Sequence, residues 1–289
     1  MGNDATNNTR LCEDQLAALK PDALAPAQIE AKAEALAVTK AAMPLDRCFV
    51  LALLAGAFIA FGGMFFGLVL GDASVPFIVT RVLGGLCFCL GLILVLCCGA
   101  ELFTGNSLMV CGAMNGKISW GAMLKNWGVV WVGNLLGAVV AAGLAYLANL
   151  QGMNAGAVGD AIVSVAAGKA TIAPATLVAK GILCNMLVCL AVWMSFGARS
   201  VVDKFVCVLF PITGFVAMGF EHCVANMFFL SMGLMCKAGG FGAAVSALDA
   251  LTVGGMFYNL ALSTLGNVIG GAVLVALSYW FAYGRKAGK

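Results

Sequence analysis

The sequence predicts an all-α integral membrane protein with six transmembrane helices arranged as an inverted repeat, the second and fifth of them broken. Three observations carry that expectation. The chain is 62% hydrophobic and only 10% charged, against about 45–50% and about 25% in an ordinary soluble domain. Apolar stretches near or above the ~20 residues of a spanning helix recur along it. Two of them are interrupted by near copies of one polar segment, Gly99-Ala100-Glu101-Leu102-Phe103-Thr104-Gly105-Asn106 and Gly219-Phe220-Glu221-His222-Cys223-Val224-Ala225-Asn226.

Residues 1–45 precede the first crossing as a cytoplasmic extension. Their stretch 26–43 is Ala-rich, with Ile29, Ala33, Leu36 and Met43 at helical spacing. This predicts a helix that lies on the membrane surface or packs on the cytoplasmic face of its neighbours, with a partly helical solvated leader as the alternative. The crossings fall at about 51–70, 77–99, 127–150, 172–198, 205–220 and 253–283, with 108–113 completing the second and 227–235 the fifth. The transmembrane domain is 46–284, in halves of about 46–150 and 169–284, and 285–289 form a short tail. The first apolar run starts near residue 48 behind a tail of both charge signs, unlike a secretory signal.

Basic residues set the expected orientation. With the N-terminus inside, twelve of the sixteen lysines and arginines lie on the cytoplasmic side, leaving Arg81, Lys169, Lys180 and Lys237. That asymmetry places both termini in the cytoplasm and accounts for the net charge of +3 without nucleic-acid binding. The twelve cysteines lie mostly within predicted helices, show no extracellular framework spacing and read as packing residues. A single histidine leaves a chain unable to build a bis-histidine haem within one subunit, so no cofactor is expected.

A charge at membrane depth is costly and faces a protein interior or an aqueous path, and broken backbone is tolerated there only when buried or lining a cavity. The halves echo each other further: Gly133-Asn134-Leu135-Leu136-Gly137 matches Gly266-Asn267-Val268-Ile269-Gly270. Three crossings per half invert the second half, so the breaks face each other near the midplane. Paired glycines such as Gly62-Gly63 and Gly270-Gly271 permit close helix approach.

The breaks hold the candidate chemistry. Thr104 either lines a hydrogen-bonding constriction or caps the helix that follows. Glu101 and Glu221 are read first as braces that accept bonds from orphan amides or neighbouring side chains, with a proton relay as the alternative. Asn106 and Asn226 stand five residues after each glutamate. His222 is read as functional, able to offer a hydrogen bond or a proton near neutral pH. Lys169 and Lys180 raise local anion concentration at a vestibule, or Lys180 merely snorkels from a helix end. Phe88, Leu92, Leu102 and Phe215 either form narrow apolar rings or simply pack.

The run Leu96-Cys97-Cys98-Gly99-Ala100-Glu101-Leu102-Phe103-Thr104-Gly105 closely resembles the first signature of the formate/nitrite transporter family. Gly181 to Trp193 resembles its fourth-helix signature, and Gly219-Phe220-Glu221-His222 with Ala225-Asn226-Met227 its fifth-helix break. The likeness spans about residues 45–284. It implies a homopentamer of aquaporin-like six-helix subunits, each with its own pore for a small monovalent anion, in the inner (plasma) membrane. It also implies that Phe88, Leu92 and Phe215 form one constriction, Leu102 and Thr104 a loop-side gate, and His222 the central polar residue with Glu221 as its partner. Asn185 and Lys169 match pore-associated positions. Formate is the implied cargo, carried passively or by symport with protons, with nitrite and hydrosulfide as alternatives.

Two other classes stay open on the residues alone. A neutral-solute channel fits the inverted repeat equally well. A membrane subunit of a redox enzyme needs cofactor ligands that a single histidine does not supply.

Overall fold

The computed structural model describes residues 23–285, all helical or irregular, with no strand among them. Residues 1–22 and 286–289, including Cys12, lie outside the described residues. Helix α1 is Pro26–Ala41, α2 Leu45–Leu70 and α3 Phe77–Cys98; after the first break come a 3₁₀ turn, Gly105–Met109, and the short α4, Val110–Met114. Then follow α5 Trp120–Leu147, α6 Ala157–Ala170, α7 Pro174–Gly197, α8 Val201–Ala217, α9 Cys223–Ala238 and α10 Val253–Val268, which runs on in π-helical turns to Gly284.

Five of these are long and apolar enough to cross a bilayer: α2, α3, α5, α7 and α10 with its extension. The fifth crossing is assembled from α8, 17 residues, and α9, 16 residues, each too short alone. The six predicted crossings and both breaks are therefore present. Helix α6 is an addition. Its 14 residues carry Asp160, Ser164 and Lys169, too short and too polar to register as a span.

The inverted repeat is visible in packing. Helix α2 packs on α5 as α7 packs on α10. A Cβ at Gly137 would strike the Leu53 carbonyl, and one at Gly270 the Ile182 carbonyl. Both glycines come from the echoed Gly-Asn segments, and they let helices without a hydrophobic drive between them touch backbone to backbone.

Helix α1 packs on its neighbours. Ile29, Ala33 and Ala37 are buried, while Leu36 and Met43 are half-buried. Leu24 N donates to Gly197 O (3.2 Å) and Lys32 Nζ to Phe196 O (2.7 Å), which ties α1 to the end of α7. Its buried face also carries Glu30 and Glu34. Glu34 pairs with Lys117 and accepts from Asn115, which donates in turn to Gly284 O (3.0 Å). Burial first, then the hydrogen bond and charge of Glu34, push the Glu30 carboxyl up to about 7 against the opposing pull of Lys117.

Candidate functional site

Each break begins with a glycine that ends a helix in the left-handed region: Gly99 at φ 79° and Gly219 at φ 71°, where a side chain would be strained. In both, the next amide reaches back five residues, Ala100 N to Val95 O and Phe220 N to Phe215 O, each 3.0 Å. The chain then leaves helical geometry at membrane depth, and its exposed amides need partners.

Two asparagines supply them. Asn134 on α5 donates through Nδ2 to Ala52 O (2.8 Å) and Glu101 O (2.9 Å), and its Oδ1 accepts from Phe103 N (2.9 Å). Asn267 on α10 donates to Gly181 O (2.8 Å) and Glu221 O (2.9 Å) and accepts from Cys223 N (2.9 Å). The echo in the sequence thus marks the residues that splint the two loops.

The glutamates are braced in the same duplicated way. Glu101 Oε1 meets Lys40 Nζ at 2.5 Å, and Oε2 accepts from Asn106 Nδ2 at 2.8 Å. Glu221 Oε1 meets Lys169 Nζ at 2.9 Å, and Oε2 accepts from Asn226 Nδ2 at 2.8 Å. Asn106 also donates to Asn126 Oδ1 (2.8 Å) as Asn226 does to Asn259 Oδ1 (2.7 Å). Asn126 and Asn259 close each circuit on the backbone oxygens of Lys40 (3.5 Å) and Lys169 (2.9 Å). A buried carboxylate is tolerable only when paired and fully hydrogen-bonded. The partners are side-chain ammonium and amide groups, not orphan helix amides.

The expectation that Glu221 partners the histidine needs correction. Both its oxygens are taken by Lys169, Asn226 and Asn259. His222 instead caps α9, its Nδ1 accepting from Ala225 N at 3.0 Å, and its Nε2 lies 2.9 Å from Thr104 Oγ1. That contact joins the two breaks. Thr104 makes no side-chain cap bond on the turn that follows it; its hydroxyl meets the ring from the opposite break. An amide N–H can only donate, so Nδ1 is unprotonated; the neutral ring then carries its proton on Nε2 and donates it to Thr104 Oγ1. The Thr104 hydroxyl proton is left free for a third group.

Two cavities flank this bridge. The larger, about 350 Å³, opens on the face opposite α1 and is lined by Phe66, Arg81, Lys169, Lys180, Phe220 and His222 among others. The smaller holds about 10 Å³, the lower limit for one water. Its wall brings together Phe88, Leu92, Leu102, Phe215 and His222 and adds Ile59, Val188 and Ile212, which periodicity did not distinguish from packing. Phe215 holds the ring pair, edge-on to Phe88 and stacked on His222, each with centroids 5.8 Å apart. Asn185 stands behind the bridge, off both cavity walls, donating to Thr104 O (3.3 Å), Ser107 Oγ (3.2 Å) and Asn267 O (2.7 Å).

Sequence reasoning gave no site role to Lys40, Arg81, Asn126, Asn134, Asn259 or Asn267. One signal was available: the eight-residue spacing from Asn126 to Asn134 recurs from Asn259 to Asn267 and puts each pair close to one helix face.

A vestibule, an apolar constriction and a polar bridge between two broken helices define a multi-pass membrane protein of the channel or transporter class. The formate/nitrite transporter family model matches residues 27–281, and the chain belongs to that family. It is 39% identical over 274 residues to the formate channel FocA of Escherichia coli, covering 92% of this chain and 96% of that one. It is 36% identical to the nitrite transporter NirC of Escherichia coli, covering 79% and 81%. The solved structure of a pentameric formate channel with formate bound superposes with a TM-score of 0.74 at 36% identity, covering 83% of this chain and 98% of that one.

Proposed function

We propose that the protein is a channel for a small monovalent weak-acid anion, formate first, working as a homopentamer with one path per subunit. Its place is the inner (plasma) membrane, both termini cytoplasmic, on the basic-residue asymmetry. The observation that carries the reading is the Thr104–His222 bridge of 2.9 Å, set where the cationic cavity narrows to apolar walls.

The mechanism follows from desolvation. A carboxylate entering the constriction loses its water, and a bare anion in an apolar medium is prohibitively costly. The bridge offers it the free Thr104 hydroxyl proton, and Nε2–H of His222 becomes a second donor when it turns from Thr104 Oγ1 to the anion, at the point where water is excluded. Nδ1 is committed to the α9 cap, so a ring cation would form only by breaking that cap. This favours hydrogen bonding by the ring over outright proton donation. Phe88, Leu92, Leu102 and Phe215 reject ions that keep their hydration shells.

Flux of formate, nitrite, hydrosulfide and lactate through one reconstituted sample, across pH, tests substrate and proton linkage together. His222→Phe is expected to lower formate flux at least tenfold. Unchanged flux and pH dependence in that variant would end the role of the bridge. The NirC likeness keeps nitrite as the second substrate, and flux insensitive to membrane potential and external anion would replace the reading with a neutral-solute channel.

A further inference from the structure

The duplicated wiring gives a frame in which departures from symmetry stand out. Glu101 N donates to Leu51 O (3.2 Å) and Glu221 N to Lys180 O (3.3 Å), so Lys180 is the counterpart of Leu51. Counting back from the helix-ending glycines, Arg81 before Gly99 corresponds to Val201 before Gly219. Two apolar positions of one face are cations on the other. Both cations line the 350 Å³ cavity opposite α1.

Neither is compensated there. Glu221, the sole carboxylate on that wall, is matched by Lys169. Arg81 spends Nε on Ala217 O (2.9 Å) and Nη2 on Val216 O (2.8 Å), both neutral carbonyls at the end of α8. Its Nη1 donates to none of the described residues, and Lys180 Nζ makes no ion pair or hydrogen bond with any of them. Gly219 leaves the space Arg81 occupies, since a Cβ there would lie 3.0 Å from Nη2. The carbonyls fix the guanidinium plane and aim its remaining edge without neutralising it.

We propose that Arg81 and Lys180 form an anion-capture subsite for a small monocarboxylate on the face opposite α1, separate from the Lys169–Glu221 pair and the Thr104–His222 bridge. The proposal rests on the anion-path reading above. With Arg81 held by backbone and Lys180 free to follow the ligand, the subsite removes one carboxylate at a time from bulk water and presents it to the constriction. On the face carrying α1 the counterparts of this pair are the apolar Leu51 and Val201, so the two directions of entry differ in apparent affinity.

The test uses the full chain in right-side-out and inverted membrane vesicles, with formate flux measured against formate concentration. The wild type is expected to half-saturate at lower formate from the face opposite α1. Lys180→Gln should raise that half-saturating concentration about three- to tenfold from that face alone with maximal flux retained. The gap should close near 1 M balanced salt, where screening falls to about 3 Å. Arg81→Lys should stay near the wild type and Arg81→Gln should shift as Lys180→Gln does. A shift equal from both faces, or lower maximal flux without a shift, would overturn the subsite. If Arg81→Lys loses maximal flux as Arg81→Gln does, the guanidinium is only a carbonyl cap. Wild-type vesicles without saturable formate flux would instead sink the anion-path reading, and the subsite with it.

Discussion

The two breaks share a scaffold and differ in what they display. Aligned on their glutamates, Asn106 matches Asn226, Phe103 matches Cys223 as the residue whose amide is splinted, and Lys40 matches Lys169 as counter-charge. Yet the counterpart of His222 is Leu102, and that of Thr104 is Val224. The partners of the central bridge thus sit where the copies disagree. Beyond the loop, one half resumes through a 3₁₀ turn and a five-residue helix, the other directly as α9 capped by the histidine. Duplication supplies the costly part, two polar loops held open in an apolar medium, and divergence supplies the chemistry.

Making the breaks alike is the largest way to break this comparison. His222→Leu removes the Nε2 donor and the α9 cap together; formate flux in proteoliposomes should fall at least tenfold. Adding Leu102→His should not restore it, because Phe103 N is already bound to Asn134 and no helix start awaits capping there. Recovery to near wild-type flux would show that the bridge is indifferent to which half provides the ring.

Splint removal comes next and should be blind to the difference between halves. Asn134→Leu and Asn267→Leu each strand two carbonyls and one amide, a loss of about 2–4 kcal/mol read as lower thermal stability in detergent. Markedly unequal losses would mean that one loop is held by something else.

Smaller still is loss of the braces. Glu101→Gln and Glu221→Gln leave Lys40 and Lys169 without a counter-charge, and with those lysines 21% and 15% exposed the cost should be about 1–3 kcal/mol, below that of a fully buried pair. A stability gain from Glu221→Gln would reject the brace.

The smallest effect belongs to α1. Because the folded-state carboxyl of Glu30 titrates near 7 and its ordinary value is 4.5, the folded chain holds more protons between those values. Stability from this group is therefore present at low pH and lost as pH rises through that window. Glu30→Gln should flatten the decline and raise the melting temperature at pH 8 by about a degree or two; an unchanged slope would reassign the titration.

Much of this was legible in the sequence, and unevenly. Spans and breaks follow from hydropathy because lipid forbids unsatisfied backbone and so writes long apolar runs. Glu101, Asn106, Glu221 and Asn226 repeat at fixed spacing and declared themselves, as did the lone histidine. Lys40 and Arg81 did not. A cation's partner 61 or 135 residues away leaves no local pattern, and Lys40 lies on a helix whose Ala-rich stripe suggests surface association. Helix α6 escaped because small residues and three polar ones in 14 make no apolar run long enough to mark a crossing. Ile59, Val188 and Ile212 face the constriction, but nothing local distinguishes them from packing residues.

The lysine that reaches Glu101 comes from α1, and the lysine that reaches Glu221 comes from α6. The repeated unit therefore begins with a short helix outside the apolar spans, and the connection 148–156 is the seam between two complete units. In assembly terms each unit carries its own counter-charge, so neither needs the other to neutralise its buried glutamate. Two fragments cut at that seam and expressed together should each insert and then find one another, opposite ways up, and rebuild the path; a fragment that lacks residues 1–41 should fail before any partner arrives.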